Sequence, residues 1–371
     1  MEFTAGFTLV GGGTFVAPEP PSPEFYLWSW GEGANGVLGL GDTTNRSSPV
    51  QIGALTTWLN ISGGRYHTLA VKTDGTMWSW GHGFVGALGL GDTTSRSSPT
   101  QIGALTTWLK IDAGSRQNMA VKTDGTLWAW GNNSYGKLGL GNTTSYSSPK
   151  QVGALTTWST VTAGYGHSIA IKTDGTLWAW GAGGYGQLGV GDTANRSSPV
   201  QIGALTTWSK ISAGAAHTTS IKTDGTMWSW GFNSGRLGLG DTANRNSPVQ
   251  IGALTTWANV SRGAAHTTVI KTDGTMWAWG LNSTGQLGVG DTTGRSSPVQ
   301  IGALTTWLNV AGGGYHTTVI KTDGTMWAWG LNSTGQLGVG DTANRSSPVQ
   351  VGTLTTWRSV FGGRVNTLAI G

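Results

Sequence analysis

The marker Trp-x-Trp-Gly occurs seven times, opening at Trp28, Trp78, Trp128, Trp178, Trp228, Trp277 and Trp327, at intervals of 50, 50, 50, 50, 49 and 50 residues. A period of this size means one supersecondary unit per repeat, with apolar faces buried between neighbouring units. A third Trp follows each marker, at Trp58, Trp108, Trp158, Trp208, Trp257, Trp307 and Trp357, so all 21 Trp of the 371-residue chain belong to the repeat. Two copies are identical from His266 to Thr292 and from His316 to Thr342.

One unit, from Trp307 to Gly352, reads as short runs separated by turn residues. The runs alternate and are rich in β-branched and aromatic residues, as half-buried strands require. Asp-Gly between two such runs signals a hairpin. The Gly, Asn and Ser after Trp-Gly signal a loop. This predicts four strands per repeat and almost no helix, which is a propeller blade. Six Lys-Thr-Asp-Gly hairpins are complete, and the seventh is split between the two ends of the chain. Leu368 and Ile370 lie on its first strand; Tyr26, Trp28 and Trp30 lie on its second. The expected fold is all-β: a seven-bladed β-propeller of four-stranded blades over residues 25–371, closed by N- and C-terminal strands sharing one blade. Closure removes the free sheet edges of an open array.

The run His-Thr-x-Ala-x-Lys-Thr-Asp-Gly-Thr-x-Trp-x-Trp-Gly, followed by Gly-Gln-Leu-Gly-x-Gly-Asp-Thr-x-x-Arg-x-x-Pro, resembles the regulator of chromosome condensation repeat over residues 25–371. The resemblance implies a seven-bladed propeller with a similarly split blade. Activities in this family include guanine-nucleotide exchange, ultraviolet sensing, β-lactamase inhibition and adaptor roles, so the fold alone does not assign one. The family's exchange factor uses a β-wedge inserted in one blade, and the uniform spacing here leaves no room for one. The ultraviolet photoreceptor places Trp two residues before His, where the first copy here has Arg65. Neither activity is expected.

The acidic residues are those of a scaffold. Asp74, Asp124, Asp174, Asp224, Asp273 and Asp323 sit in the Lys-Thr-Asp-Gly turns, and Asp42, Asp92, Asp192, Asp241, Asp291 and Asp341 in the Gly-Asp-Thr loops. Within the ring only Glu32 and Asp112 are unique, and they fall in different blades, so no paired-carboxylate site is expected. Five of the six His recur with the repeat, and Asn118 and Asn366 read as their substitutes in the other two copies. This favours a structural hydrogen-bonding role over metal or triad chemistry. Gly131 to Lys137 resembles a phosphate loop but has Leu138 where a magnesium-holding Ser or Thr is needed. No cofactor and no metal are expected. With no Cys, disulfides and thiolate sites are excluded. No apolar run reaches the ~18 residues of a membrane span, so no membrane insertion is expected. The net charge of +5 is spread along the chain, which argues against nucleic acid.

The differences between copies point to function. One variable stretch lies just before the His position and supplies Arg65, Tyr66, Arg116, Gln117, Tyr165, Tyr315 and Arg364. The other follows Trp-Gly and supplies His82, Phe84, Tyr135, Tyr185 and Phe232. In an antiparallel meander both stretches fall on one face and the Lys-Thr-Asp-Gly turns on the other. Arg and aromatic residues are favoured at interface hot spots, so this face is the expected site for a protein partner, with carbohydrate as a further class. Residues 1–24 comprise an alternating stretch, three Gly and a Pro-rich spacer. They read as an attachment tail, similar to the N-terminal anchors of bacteriophage virion proteins, and offer a second surface for an assembly partner. The expectation is a non-enzymatic binding or structural propeller, displayed on a virion or other particle surface. The alternatives are a soluble adaptor or inhibitor of one protein, or a carbohydrate-binding propeller.

Overall fold

The computed structural model describes residues 25–371. The attachment tail assigned to residues 1–24 lies outside the described residues. The described residues form seven four-stranded antiparallel sheets. Blade 1 shows the pattern: an inner strand Trp58–Gly63, a second strand His67–Lys72, a third strand Met77–Gly81 and an outer strand Arg96–Gln101. Blades 2 to 6 repeat it, opening at Trp108, Trp158, Trp208, Trp257 and Trp307. Blade 7 is composite: Ser359–Gly362 and Asn366–Ile370 from one end of the chain, Leu27–Gly31 and Arg46–Gln51 from the other. Leu27 pairs with Ile370, Trp28 with Ala369, Ser29 with Leu368 and Trp30 with Thr367. Tyr26 and Gly371 exchange main-chain hydrogen bonds of 3.0 and 3.1 Å. The ring is closed as the split hairpin requires. Among the described residues no helix is long and apolar enough to cross a membrane.

The repeat makes the same core seven times. The second Trp of each marker, such as Trp30 or Trp80, is fully buried. Its indole lies against the third Trp of the repeat in the same blade, with centroids 6.1–6.3 Å apart. Trp80 Nε1 donates to the Val37 carbonyl of the preceding blade at 3.0 Å, and Trp30, Trp180, Trp230, Trp279 and Trp329 do the same at their own seams, whereas Trp130 Nε1 is buried without an acceptor. In six turns the Asp accepts from the Thr two residues on, and that Thr hydroxyl accepts from the first marker Trp: Asp74, Thr76 and Trp78 at 2.7 and 3.0 Å. The Lys before each of these turns lies over the same indole, Lys72 Nζ being 3.8 Å from the Trp78 centroid. The Asp of the Gly-Asp-Thr loop pairs with the Arg four residues on in six blades, at 2.5–2.7 Å. In blade 2 that pair is replaced by Asn142 and Tyr146, which hydrogen-bond at 3.2 Å.

A belt of buried side chains joins the second strands. His67 Nε2 meets Asn118 Oδ1 at 2.6 Å, His167 meets Thr218 Oγ1 at 2.9 Å, His266 meets Thr317 at 3.0 Å and His316 meets Thr367 at 2.9 Å. Thr317 and Thr367 each donate their own proton to a carbonyl, that of Gln286 or Gln336, at 2.9 Å. They must therefore accept from the imidazole, which places the His proton on Nε2. The register corrects the sequence reading in blade 2. Gln117, not Asn118, pairs with Gly131 as His67 pairs with Gly81. Gln117 is fully buried, and its amide donates to the Gly164 carbonyl at 2.7 Å. It belongs to the belt and is not displayed on the loop face. Asp112, one of the two unique acids, serves the channel wall. It accepts from Ser62 Oγ at 2.8 Å and from the Ala163 main chain at 2.8 Å.

Candidate binding face

The inner strand rises to the loop before the belt residue, the second strand descends to the Lys-Thr-Asp-Gly turn, and the third rises again. Both variable stretches therefore emerge on one face, which main-chain contacts hold together. His82 N donates to the Tyr66 carbonyl at 2.9 Å. This approach needs Gly81, whose φ is +102 and where a Cβ would lie 2.6 Å from Tyr66 O.

Seven of the sequence-predicted residues meet at blades 7, 1, 2 and 3, centred on Tyr66. The Arg65 guanidinium lies 4.8 Å from the Tyr66 ring centroid and 5.8 Å from that of Tyr165. Arg116 lies 5.7 Å from Tyr66 and 5.4 Å from Phe84. Arg364 Nη1 donates to the Tyr66 hydroxyl at 2.9 Å, across the seam between blades 7 and 1. His82 stacks on Phe84 at 5.8 Å and meets Tyr66 edge-on at 6.1 Å. Burial lowers the His82 pKa and Arg116 lowers it further, so this ring is neutral at pH 7. Arg65, Tyr165 and Arg364 line the mouth of the central channel.

The other predicted residues lie apart from this cluster. Tyr185 packs on Phe232 at 5.0 Å in blades 3 and 4. Tyr135 stands exposed, as do Tyr185 and Phe84. Tyr315 lies in blade 6, where its carbonyl accepts from Leu331 N at 2.8 Å. Two residues that the loop comparison missed belong to this face. Arg236 lies 4.8 Å over Phe232. Lys137 is buried behind Arg116 and donates to the Tyr165 carbonyl at 3.2 Å. Burial lowers its pKa to about 8, with Arg116 adding to the shift. The signal was present in one repeat column, which reads Val37, Ala87, Lys137, Gln187, Arg236, Gln286 and Gln336. The two cations stand out only when all seven copies are aligned.

A closed ring of seven four-stranded blades defines the class: a seven-bladed β-propeller. The chain belongs to the regulator of chromosome condensation (RCC1) repeat family, whose model matches residues 26–71, 74–121, 124–171, 174–221, 224–270, 273–320 and 323–370. Each match spans two strands of one blade and two of the next. No curated protein matches the chain by sequence. Among solved structures, Prp20p from Saccharomyces cerevisiae, described with its binding to Gsp1p and histones, is 21% identical. That match covers 94% of this chain and 91% of that one, with a TM-score of 0.83. Yeast RCC1 (Prp20) bound to Kap60 is 20% identical over 94% and 89%, with a TM-score of 0.84. Human WBSCR16 is 19% identical over 94% and 98%, with a TM-score of 0.81. Likeness at these identities is likeness of fold.

Proposed function

We propose that this chain is a non-enzymatic module that holds a protein partner on its variable loop face. One observation carries the reading: the stretch before the belt residue is uneven around the ring. Blades 7, 1, 2 and 3 present Arg364, Arg65, Tyr66, Arg116 and Tyr165 and blade 6 presents Tyr315, while the same positions in blades 4 and 5 are Ala215, Ala216, Ala264 and Ala265. A scaffold needs only small residues there, as the Ala blades demonstrate. The larger residues are surplus to folding, and Arg and Tyr are hot-spot residues. The acids support a non-catalytic reading, since the repeated Asp are committed to turns and ion pairs. The partners described for Prp20p are proteins, which supports the same class. Changing Arg65, Tyr66, Arg116, Tyr165 and Tyr315 together to Ala is expected to abolish capture of any partner identified by cross-linking with the unaltered chain. Undiminished capture by that variant sinks the reading.

A second reading, display on a larger particle such as a phage virion, draws on where the tail joins the ring. Phe25 bridges to Thr57 at the foot of the inner strand of blade 1, and Arg358 lies over its ring at 3.4 Å. That junction is on the turn face, so a tether there leaves the loop face outward. Light scattering of the full chain and of a chain starting at Glu24 tests it. Assembly of the first alone supports attachment; identical monomers favour the soluble adaptor or inhibitor.

A further inference from the structure

The cluster around Tyr66 contains three guanidiniums and no counter-charge. None of Arg65, Arg116 and Arg364 makes an ion pair among the described residues, whereas six other Arg are paired with Asp. The Nε atoms of Arg65 and Arg116 are buried without an acceptor. Like charges this close, around one ring, disfavour one another, and an unmet buried donor costs stability. The Tyr66 oxygen accepts from Arg364, which leaves its own proton free to donate outward. The guanidinium faces lie against aromatic rings, so their N–H edges are what remains to offer a ligand. Planar N–H edges beside a phenol O–H match a carboxylate.

We propose that this cluster is a receptor for an acidic peptide segment of a protein partner, with a carboxylate seated over Tyr66 at the junction of blades 7, 1 and 2. This rests on the loop face being the binding surface and names the partner's chemistry. The surroundings favour a peptide over nucleic acid. The three Arg converge on one ring, where phosphate tracking needs cations spaced along a groove. Exposed Phe84 at the edge of the cluster, with exposed Tyr135 and Tyr185 beyond it, suits apolar side chains flanking an acidic anchor.

The experiment is fluorescence anisotropy of the full chain with labelled hexaglutamate, hexaglutamine and a twelve-residue oligothymidylate. Hexaglutamate is expected to bind at least tenfold more tightly than hexaglutamine and to weaken with added salt. The triple variant Arg65→Gln, Arg116→Gln, Arg364→Gln is expected to lose this preference, and Arg295→Gln, at the start of the outer strand of blade 5, to keep it. Because Arg364 also crosses a blade seam, Arg116→Gln alone guards against a folding artefact and is expected to weaken hexaglutamate several-fold. Equal binding of the two peptides overturns the proposal, as does an undiminished preference in the triple variant. Oligothymidylate binding stronger than hexaglutamate and lost in the triple variant overturns it in favour of nucleic acid. These failures are distinct from failure of the loop-face reading, which falls only when an identified partner still binds the five-alanine variant.

Discussion

Burial lowers the pKa values of His67, His266 and His316 to about 4, about 3 and about 4, so these belt imidazoles are neutral at pH 7. An unfolded His takes its proton near pH 6.5, and the folded ring refuses it until the pH approaches these lower values. Stability is therefore complete above about pH 6.5 and falls as the pH drops through that window. The full loss on protonation is about 3 kcal/mol for His67 or His316 and about 5 kcal/mol for His266. Thermal unfolding followed at pH 7 and pH 4.5 should show a marked fall in melting temperature. His316→Gln should flatten that dependence, because Gln117 already fills the same position in blade 2; an unchanged slope would mean that other groups govern acid unfolding. The belt also has a gap. Asn366 has both side-chain polar atoms buried without a partner, at the seam between blades 7 and 1. Thr68, its counterpart across the seam, donates to the Val37 carbonyl at 3.2 Å as Thr317 and Thr367 do to theirs, but receives no bond from Asn366. Asn366→His should let Nε2 reach Thr68 and stabilise the ring by about 1 kcal/mol, read as a raised denaturation midpoint in urea.

The hairpin is the element that the sequence announces most clearly. Asp-Gly needs a left-handed residue, and Gly75 has φ +77, with Asp74 and Thr76 bonding around it. Strand alternation and this turn together make the four-strand blade, the split blade and the polarity of the two faces legible from residues alone. The belt register in blade 2 was not legible, because Gln117 and Asn118 are adjacent amides. A one-residue slip exchanges the sides to which they point, and only the pairing of Gln117 with Gly131 decides between them. The meeting of Arg65, Arg116 and Arg364 on one Tyr was also hidden, since it depends on the approach of three blades. The element with the most at stake is the third strand of blade 7. Deleting Phe25 to Gly31 removes every main-chain bond to Asn366–Ile370 from that side, along with buried Leu27 and Trp30. The expected result is an open ring with a severely lowered melting temperature; an unchanged one would refute closure by this strand.

At the scale of the molecule, six blades are each made from one continuous stretch of chain and the seventh is shared. The junction between Tyr26 and Gly371 has the form of the other six hairpins without their connecting turn. A circular permutant with Gly371 joined to Tyr26 through a Thr-Asp-Gly turn, and cut between Asp224 and Gly225, should give the same circular dichroism spectrum and the same loop-face binding. Loss of folding on moving the ends would mean that blade 7 is special beyond its connectivity. The shared blade also bears on how the chain reaches its native state. Its closing pair is the one that joins residues some 340 apart, and such a loop costs entropy that grows only with the logarithm of its length. An identical first strand from another copy can compete for the same edge. Tethered ends meet at an effective concentration of the order of millimolar, so refolding at micromolar protein should give monomers at a rate independent of concentration. Strand-exchanged dimers should accumulate only as the protein concentration approaches that of its own two ends.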